Sequence, residues 1–284
     1  MKQFSVFIFS LFVVTNSFAQ TKEGSVVFEK KMNMHRRITD EQMRAYIPEF
    51  RTSKHMLYFS DSISNYKPLV ELESNEGGEG GRMIMTMGAS MMGETTDLFK
   101  NYSKATATNI IEFGSNTYNI TDSIKSQNWV LQNETKNILG YNCKKALFKQ
   151  MQPVRKAMRM SFGMGGDNEI KKDTTASDTP KFKEIEVVAW YTTDIPCPSG
   201  PEEFGGLPGL ALMVDIDNGE TVYSAIELKK EVSKKELKEP TKGKKITNED
   251  LSKLRKKMME NIKEKTLKSI VLAHHEYIPV LEKY

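Results

Sequence analysis

Trp190-Tyr191-Thr192-Thr193-Asp194-Ile195-Pro196-Cys197-Pro198-Ser199-Gly200-Pro201-Glu202-Glu203-Phe204-Gly205-Gly206-Leu207-Pro208-Gly209-Leu210 is the stretch that decides how this chain folds. Pro196, Pro198, Pro201 and Pro208 fall within 13 residues, beside Gly200, Gly205, Gly206 and Gly209. Proline fixes φ and removes a backbone donor, and glycine admits positive φ. The segment is therefore neither a regular helix nor a central strand. It reads as a rigid, sharply turned loop leaving a strand at Ile185–Tyr191 and feeding another that begins near Leu210 and runs to Ile216. Leu207 and Leu210 are the apolar anchors expected to pin the loop to a core. That makes it a packing and topology element first. A backbone-lined binding rim is the functional alternative, and nothing in the residues themselves selects it.

Outward from this loop, most of the chain reads as strands separated by tight turns. Gly24–Met34 is rich in β-formers. Lys54–Ser60 and Ile63–Leu69 flank Asp61-Ser62, and Asn109–Phe113 and Thr117–Thr121 flank Gly114-Ser115-Asn116; both are hairpin patterns. Trp129–Glu134 and Tyr141–Gln150 flank a turn at Lys136–Gly140. Leu212–Ile216 and Thr221–Glu227 flank Asp217-Asn218-Gly219, the strongest hairpin turn in the chain. Glu71–Gly93 and Val154–Pro180 are Gly-, Met- and polar-rich insertions within what otherwise reads as one domain over residues 20–284. Thr247–Lys265 is helical, with Leu251, Leu254, Met258 and Ile262 on one face and Thr247 with Asp250 resembling a capping box. Ser269–Leu281 reads as a final strand. The pattern predicts a mainly β fold: a curved open antiparallel sheet or half-barrel, similar to the lipoprotein-carrier architecture, with a C-terminal amphipathic helix. A β-sandwich is the alternative.

Two further blocks precede the loop. Trp129-Val130-Leu131 is followed by Lys136-Asn137-Ile138-Leu139-Gly140-Tyr141-Asn142-Cys143-Lys144-Lys145-Ala146, and Val187–Thr192 supplies a strand ending in Trp-Tyr-Thr. Together with Gly206-Leu207-Pro208-Gly209-Leu210, these ordered blocks resemble the GLPGLI family of exported proteins, found mainly in Bacteroidetes. The resemblance is close over residues 129–230 and looser over the rest. Ala211 and Leu212 replace the Leu-Ile that the family name implies, an apolar-for-apolar departure. The resemblance implies a compartment and an architecture, and no reaction.

The N-terminus agrees with export. Lys2, the apolar run Phe4–Val14 and Ser17-Phe18-Ala19 before Gln20 read as a signal peptide over residues 1–19. The apolar run has about half of the roughly 20 residues a membrane span needs. No cysteine follows the cleavage site, and no other stretch is apolar enough to be a transmembrane segment. The expected location is periplasmic, outer-membrane associated or secreted. In that oxidising setting Cys143 and Cys197, the chain's 2 cysteines, are expected to pair and tie the loop to the Gly140–Phe148 strand.

The net charge of +4 is unevenly placed: residues 229–265 carry 14 Lys+Arg against 7 Asp+Glu. This segment lacks interleaved aromatics, and export argues against nucleic acid as a partner. A solvated basic face over a packed apolar stripe is the plain reading, and a membrane-surface role the functional one.

Catalytic constellations are not evident. There is no Gly-x-Ser-x-Gly elbow, and His35, His55, His274 and His275 have no ligand-like spacing. Glu202 and Glu203 are adjacent carboxylates in a loop, a pattern more often solvated than catalytic. The Met-x-Met groups at Met32/Met34, Met83/Met85/Met87 and Met158/Met160 suggest either Cu(I) or an adaptable apolar surface. The reading adopted is a non-enzymatic binding or carrier protein with neither cofactor nor metal site. It takes an apolar ligand or partner segment, with Trp129, Trp190, Tyr191 and Leu207 as candidate lining residues and the helix as a lid. The alternatives are an accessory or docking protein whose partner is an outer-membrane protein, and a Cu(I)-binding Met-rich protein.

Overall fold

The computed structural model describes residues 22–38, 41–69, 94–153 and 182–277. The expected leader and both expected insertions lie outside these residues. What is described is one large open sheet, not closed into a barrel, together with one long helix. The strands are β1 (Gly24–Asn33), β2 (Phe50–Phe59), β3 (Ile63–Pro68), β4 (Glu94–Asn101), β5 (Thr106–Phe113) and β6 (Asn116–Ser123). They continue with β7 (Val130–Ile138), β8 (Tyr141–Pro153), β9 (Phe182–Thr192), β10 (Leu210–Ile216), β11 (Thr221–Lys229) and the short β12 (Lys244–Lys245). The helices are α1 (Glu41–Arg44), a single turn, and α2 (Asn248–Tyr277). The spatial order is β12-β6-β5-β4-β3-β2-β1-β11-β10-β9-β8-β7.

All pairings are antiparallel except β12 with β6. The hairpin turns fall where turn chemistry demanded them. Asp217, Asn218 and Gly219 all adopt positive φ, at 51°, 50° and 88°, and the Gly219 N–H donates to Asp215 Oδ1 at 2.6 Å. Register shifts in β1, β4, β7 and β10 are the irregularities that bend and twist a large sheet.

The long strands of the sheet's middle show one face to an apolar cluster. Val26 and Phe28 (β1), Leu57 and Phe59 (β2), Val187 and Ala189 (β9), and Val214 (β10) bury against Ile195, Phe204 and Leu207 of the Pro/Gly loop. The loop lies across this front face and is fastened to distant strands. Ser199 Oγ donates to Ser64 Oγ at 2.9 Å, and Trp129 Nε1 donates to the Gly205 carbonyl at 2.8 Å. A second, smaller cluster forms at the other end of the same face. There Leu251, Leu254 and Met258 of α2 pack on Ile111, Phe113 and Ile120.

The basic segment after β11 crosses the opposite face. Asn65 Nδ2 donates to the Glu236 carbonyl, Thr108 Oγ1 to Glu239 and Asn119 Nδ2 to the Pro240 carbonyl. Its carboxylates and carbonyls dock while Lys234, Lys235 and Lys238 stay exposed. The chain then rounds the β6 edge as β12 and enters α2 on the front face. Thr247 and Asp250 cap that helix reciprocally: the Asp250 N–H donates to Thr247 Oγ1, and the Thr247 N–H to Asp250 Oδ2, both at 3.1 Å.

Three expectations are corrected. Ser269–Leu281 is not a strand: α2 continues to Tyr277, and 278–284 lie outside the described residues. With no Gly or Pro between Gly243 and Pro279, nothing stops helix propagation, and it prevails over the β-branched residues near 270. The sandwich alternative gives way to a single sheet. Cys143 and Cys197 are not bonded; both are free and buried. They sit in the same apolar cluster, but the Cys143 thiol is turned to the Tyr141 carbonyl of its own strand at 3.7 Å. Burial pushes the two thiols up to about 11 and about 12, which keeps both protonated. Among the described residues no helix is long and apolar enough to cross a membrane.

Candidate functional site

The two apolar clusters do not meet, and the front face between them is a groove of about 460 Å³. Strand alternation and register build its floor. Tyr66 lies opposite Leu57 and Leu98, Leu98 opposite Asn109, and Asn109 opposite Ile120. One step along the strands, Ser64, Lys100, Ala107 and Asp122 form the next row. Lys30 and His55 close one end. Glu202 and Glu203 of the Pro/Gly loop overhang the floor, and Lys125 and Asn248 lie at the far side.

The electrostatics of the floor are set by burial. Lys30 Nζ meets Glu202 Oε1 at 2.5 Å, and Tyr223 also faces that carboxylate. Lys100 is only 4% exposed. Its Nζ donates to the Glu202 main-chain carbonyl at 2.5 Å, and no carboxylate pairs with it within ion-pair distance among the described residues. Desolvation pushes its ammonium down to about 8, with Glu203 the largest opposing charge. His55 stacks on Tyr66, rings 5.1 Å apart and 5° from parallel. Burial and then the Lys30 charge push its imidazole down to about 4, so it is neutral at physiological pH. Burial holds the Tyr66 hydroxyl far above the ordinary phenol value.

Among the described residues, four buried side-chain polar atoms have no hydrogen-bond partner: His55 Nδ1, Tyr66 OH, Asn109 Oδ1 and Asn65 Oδ1. The first three belong to groove-lining residues. Buried polar groups are nearly always satisfied, so three orphans on residues that line one open space set the groove apart from the rest of the core.

Ser53 Oγ lies 3.1 Å from His55 Nε2, which brings a hydroxyl to an imidazole. As a nucleophile–base pair it is poorly made. The other ring nitrogen has no orienting carboxylate, and an imidazole pushed to about 4 is a weak base at neutral pH.

The residues first considered as ligand-lining lie elsewhere. Tyr191 and Leu207 are buried in the large cluster, and Trp129 and Trp190 pack against it; none of the four lines the groove. Gly206 and Pro208–Leu210 shape the loop. Gly209 is essential to it, since a Cβ there would lie 2.0 Å from the Thr192 carbonyl oxygen. Glu202, first read as solvated, is an ion-paired groove wall. Lys30, His55, Tyr66, Lys100 and Asn109 went unnoticed because each is unremarkable within its own strand. Met32 Sδ accepts from Arg37 Nη1 at 3.7 Å, while Met83–Met87 and Met158–Met160 fall outside the described residues. Among those described, no three His, Cys, Asp or Glu side chains converge to hold a metal ion.

Residues 129–213, which run from Trp129 through the Pro/Gly loop into β10, match a family described as "Protein of unknown function (Porph_ging)". No curated protein matches the chain. Two solved structures of PNGF-II, in P21 and C2 crystal forms, align with TM-scores of 0.49 and 0.48 at 14% identity. Both alignments cover 84% of this chain but only 34% and 33% of the PNGF-II chains, so this protein spans about a third of their length.

Proposed function

We propose that this is a GLPGLI-type exported protein of the cell envelope that binds rather than catalyses, and that its ligand seat is the groove between the Pro/Gly loop and the start of α2. The carrying observation is the cluster of orphaned polar atoms on His55, Tyr66 and Asn109 around one open space. Pockets of a few hundred cubic ångströms with a few convergent polar groups are the usual form of small-ligand sites. The weak Ser53–His55 pair favours binding over hydrolysis.

Native mass spectrometry of the protein, purified without detergent from its own envelope, tests this reading. An excess mass that disappears on organic extraction is the expected result. Its loss in an Ala107→Trp variant, which fills the groove floor, would place the ligand there. A bare mass, or an excess mass that Ala107→Trp leaves in place, refutes the groove as the seat.

A docking role is the second reading. It is favoured by β7, an open sheet edge whose Val130 and Leu131 are more than half exposed; such edges are ready to pair with another strand. Co-purification with an outer-membrane protein that is lost on Leu131→Lys would support it.

A further inference from the structure

We propose that the groove takes an amphiphilic monocarboxylate, its carboxylate head on Lys100 and Tyr66 and its apolar body along Leu98 and Ile120 toward the α2 cluster. The proposal rests on the groove being the ligand seat and specifies what it holds.

The head assignment follows from unmet donors. Lys100 is buried yet serves only a neutral carbonyl, so an ammonium with three protons has capacity left over. Lys30 does not compete for the same anion, because Glu202 already engages it. Tyr66, one strand over on the same face, carries a buried hydroxyl with no acceptor. Both residues line the groove, and two donors suit a carboxylate, which accepts through two oxygens.

Charge count selects a monoanion. Lys30, Lys100 and Lys125 line the groove against Glu202, Glu203 and Asp122. Among the described residues, Lys100 is the buried cation without an ion-pair partner. A single negative charge satisfies it, whereas a phosphate dianion would add repulsion from Glu202 and Glu203 beside it.

The body assignment follows from the remaining wall. Pro68, Leu98, Ala107, Ile120 and Ile124 supply an apolar strip. Ile120 belongs at once to the groove and to the cluster under Leu251 and Leu254, so the strip runs on into the helix contact.

Isothermal titration of the intact protein with octanoate, octan-1-ol and octyl phosphate tests this directly. Octanoate should bind about tenfold or more tighter than octan-1-ol, the expected effect of a charge-assisted contact, and tighter than octyl phosphate. Lys100→Met should bring octanoate down to the alcohol's affinity and leave the alcohol unchanged. Tyr66→Phe, which removes one oxygen, should weaken octanoate about three- to tenfold and keeps the proposal testable should Lys100→Met fail to fold. Equal binding of octanoate and octan-1-ol, both abolished by Ala107→Trp, overturns the head assignment and leaves the groove reading intact. Octyl phosphate binding tightest overturns the monoanion argument. Octanoate binding that survives Ala107→Trp sinks the groove reading as well. No binding by any probe overturns the amphiphile and leaves the groove to the mass measurement.

Discussion

Lys100→Met should make the protein more stable while disabling its groove. The depression of the Lys100 ammonium from 10.5 to about 8 by burial corresponds to about 3 kcal/mol against holding the charge in the fold at neutral pH. Methionine keeps the length of the stem and removes that burden. It also strips the Glu202 carbonyl of its donor, a loss of about 1–2 kcal/mol. The balance is a gain of about 1–2 kcal/mol at pH 7, in line with other cases in which a buried charge is replaced by an apolar side chain.

The sign of the pH dependence is fixed by the same numbers. A lysine whose folded value lies below its unfolded one binds more protons when unfolded in the window from about 8 to 10.5. Wild-type stability should therefore rise with pH across that window, as the folded chain sheds the proton. The gap between variant and wild type should shrink by about 2 kcal/mol between pH 7 and about 9.5. Urea unfolding followed by Trp129 and Trp190 fluorescence at both pH values measures it, and other groups titrating at high pH are common to both proteins. A variant less stable than wild type by more than about 1 kcal/mol at pH 7, or a gap that does not move with pH, refutes the claim that Lys100 is a desolvated cation.

Further perturbations separate the loop, the helix and the thiols. Gly209→Ala should destabilise by about 3 kcal/mol or more in chemical denaturation, because its Cβ meets the Thr192 main chain. Gly206→Ala, at a φ of +77° with open space around it, should cost only about 1 kcal/mol; equal costs would mean that the loop does not pack as described. Leu251→Ala should cost about 2 kcal/mol and speed amide exchange over residues 248–258 while leaving β8 and β9 protected; uniform loss of protection would show that α2 is integral to the main core. Intact mass should equal that of the reduced chain, with both cysteines resisting alkylation until denaturant is added; a chain two hydrogens lighter would restore the Cys143–Cys197 bond.

Much of the sheet was legible because turns announce themselves. Asp217-Asn218-Gly219, Gly114-Ser115-Asn116 and Asp61-Ser62 each fixed a hairpin, and the prolines after Ile195 could not have been anything but a loop. β4 was missed because Glu94-Thr95-Thr96-Asp97 is polar and adjoins a Gly/Met-rich stretch; its pairing with β3 and β5 supplies what its propensity lacks. The end of α2 was misread because a short apolar run with β-branched residues fits either period. The groove was invisible as a whole, since its floor is assembled from six strands and a loop whose registers no single segment reveals. One signal was present. In β1 the inward positions run Val26, Phe28, Lys30, and in β2 they run Phe59, Leu57, His55: each apolar stripe ends in a polar residue. His55 pairs with Phe28 and Lys30 with Ser53, so the two stripes turn polar within one register step of each other, and their polar ends join in a shared floor.

That arrangement has a physical cause. Strands this numerous in one open sheet present more front face than one loop and one helix can cover. The Pro/Gly loop seals the half that runs from β8 to β3, and α2 seals the β5–β6 end. The floor between them could have been made apolar and closed by side-chain packing. Instead it holds a buried ammonium, a stacked neutral imidazole and a phenol without an acceptor, each of which lowers stability unless something polar enters. Two lysines of the floor also hold the loop in place, since both Lys30 and Lys100 grip Glu202, one through its carboxylate and one through its carbonyl. A ligand oxygen drawing on Lys100 would compete with that carbonyl and so loosen the loop's hold on β4. Ligand binding and loop position should therefore be coupled, and octanoate should change amide exchange at Gly200–Gly205 as well as in the groove floor. Protection that changes only in the floor would mean that the loop is a fixed wall, and that Lys100 can serve the carbonyl and the ligand at once.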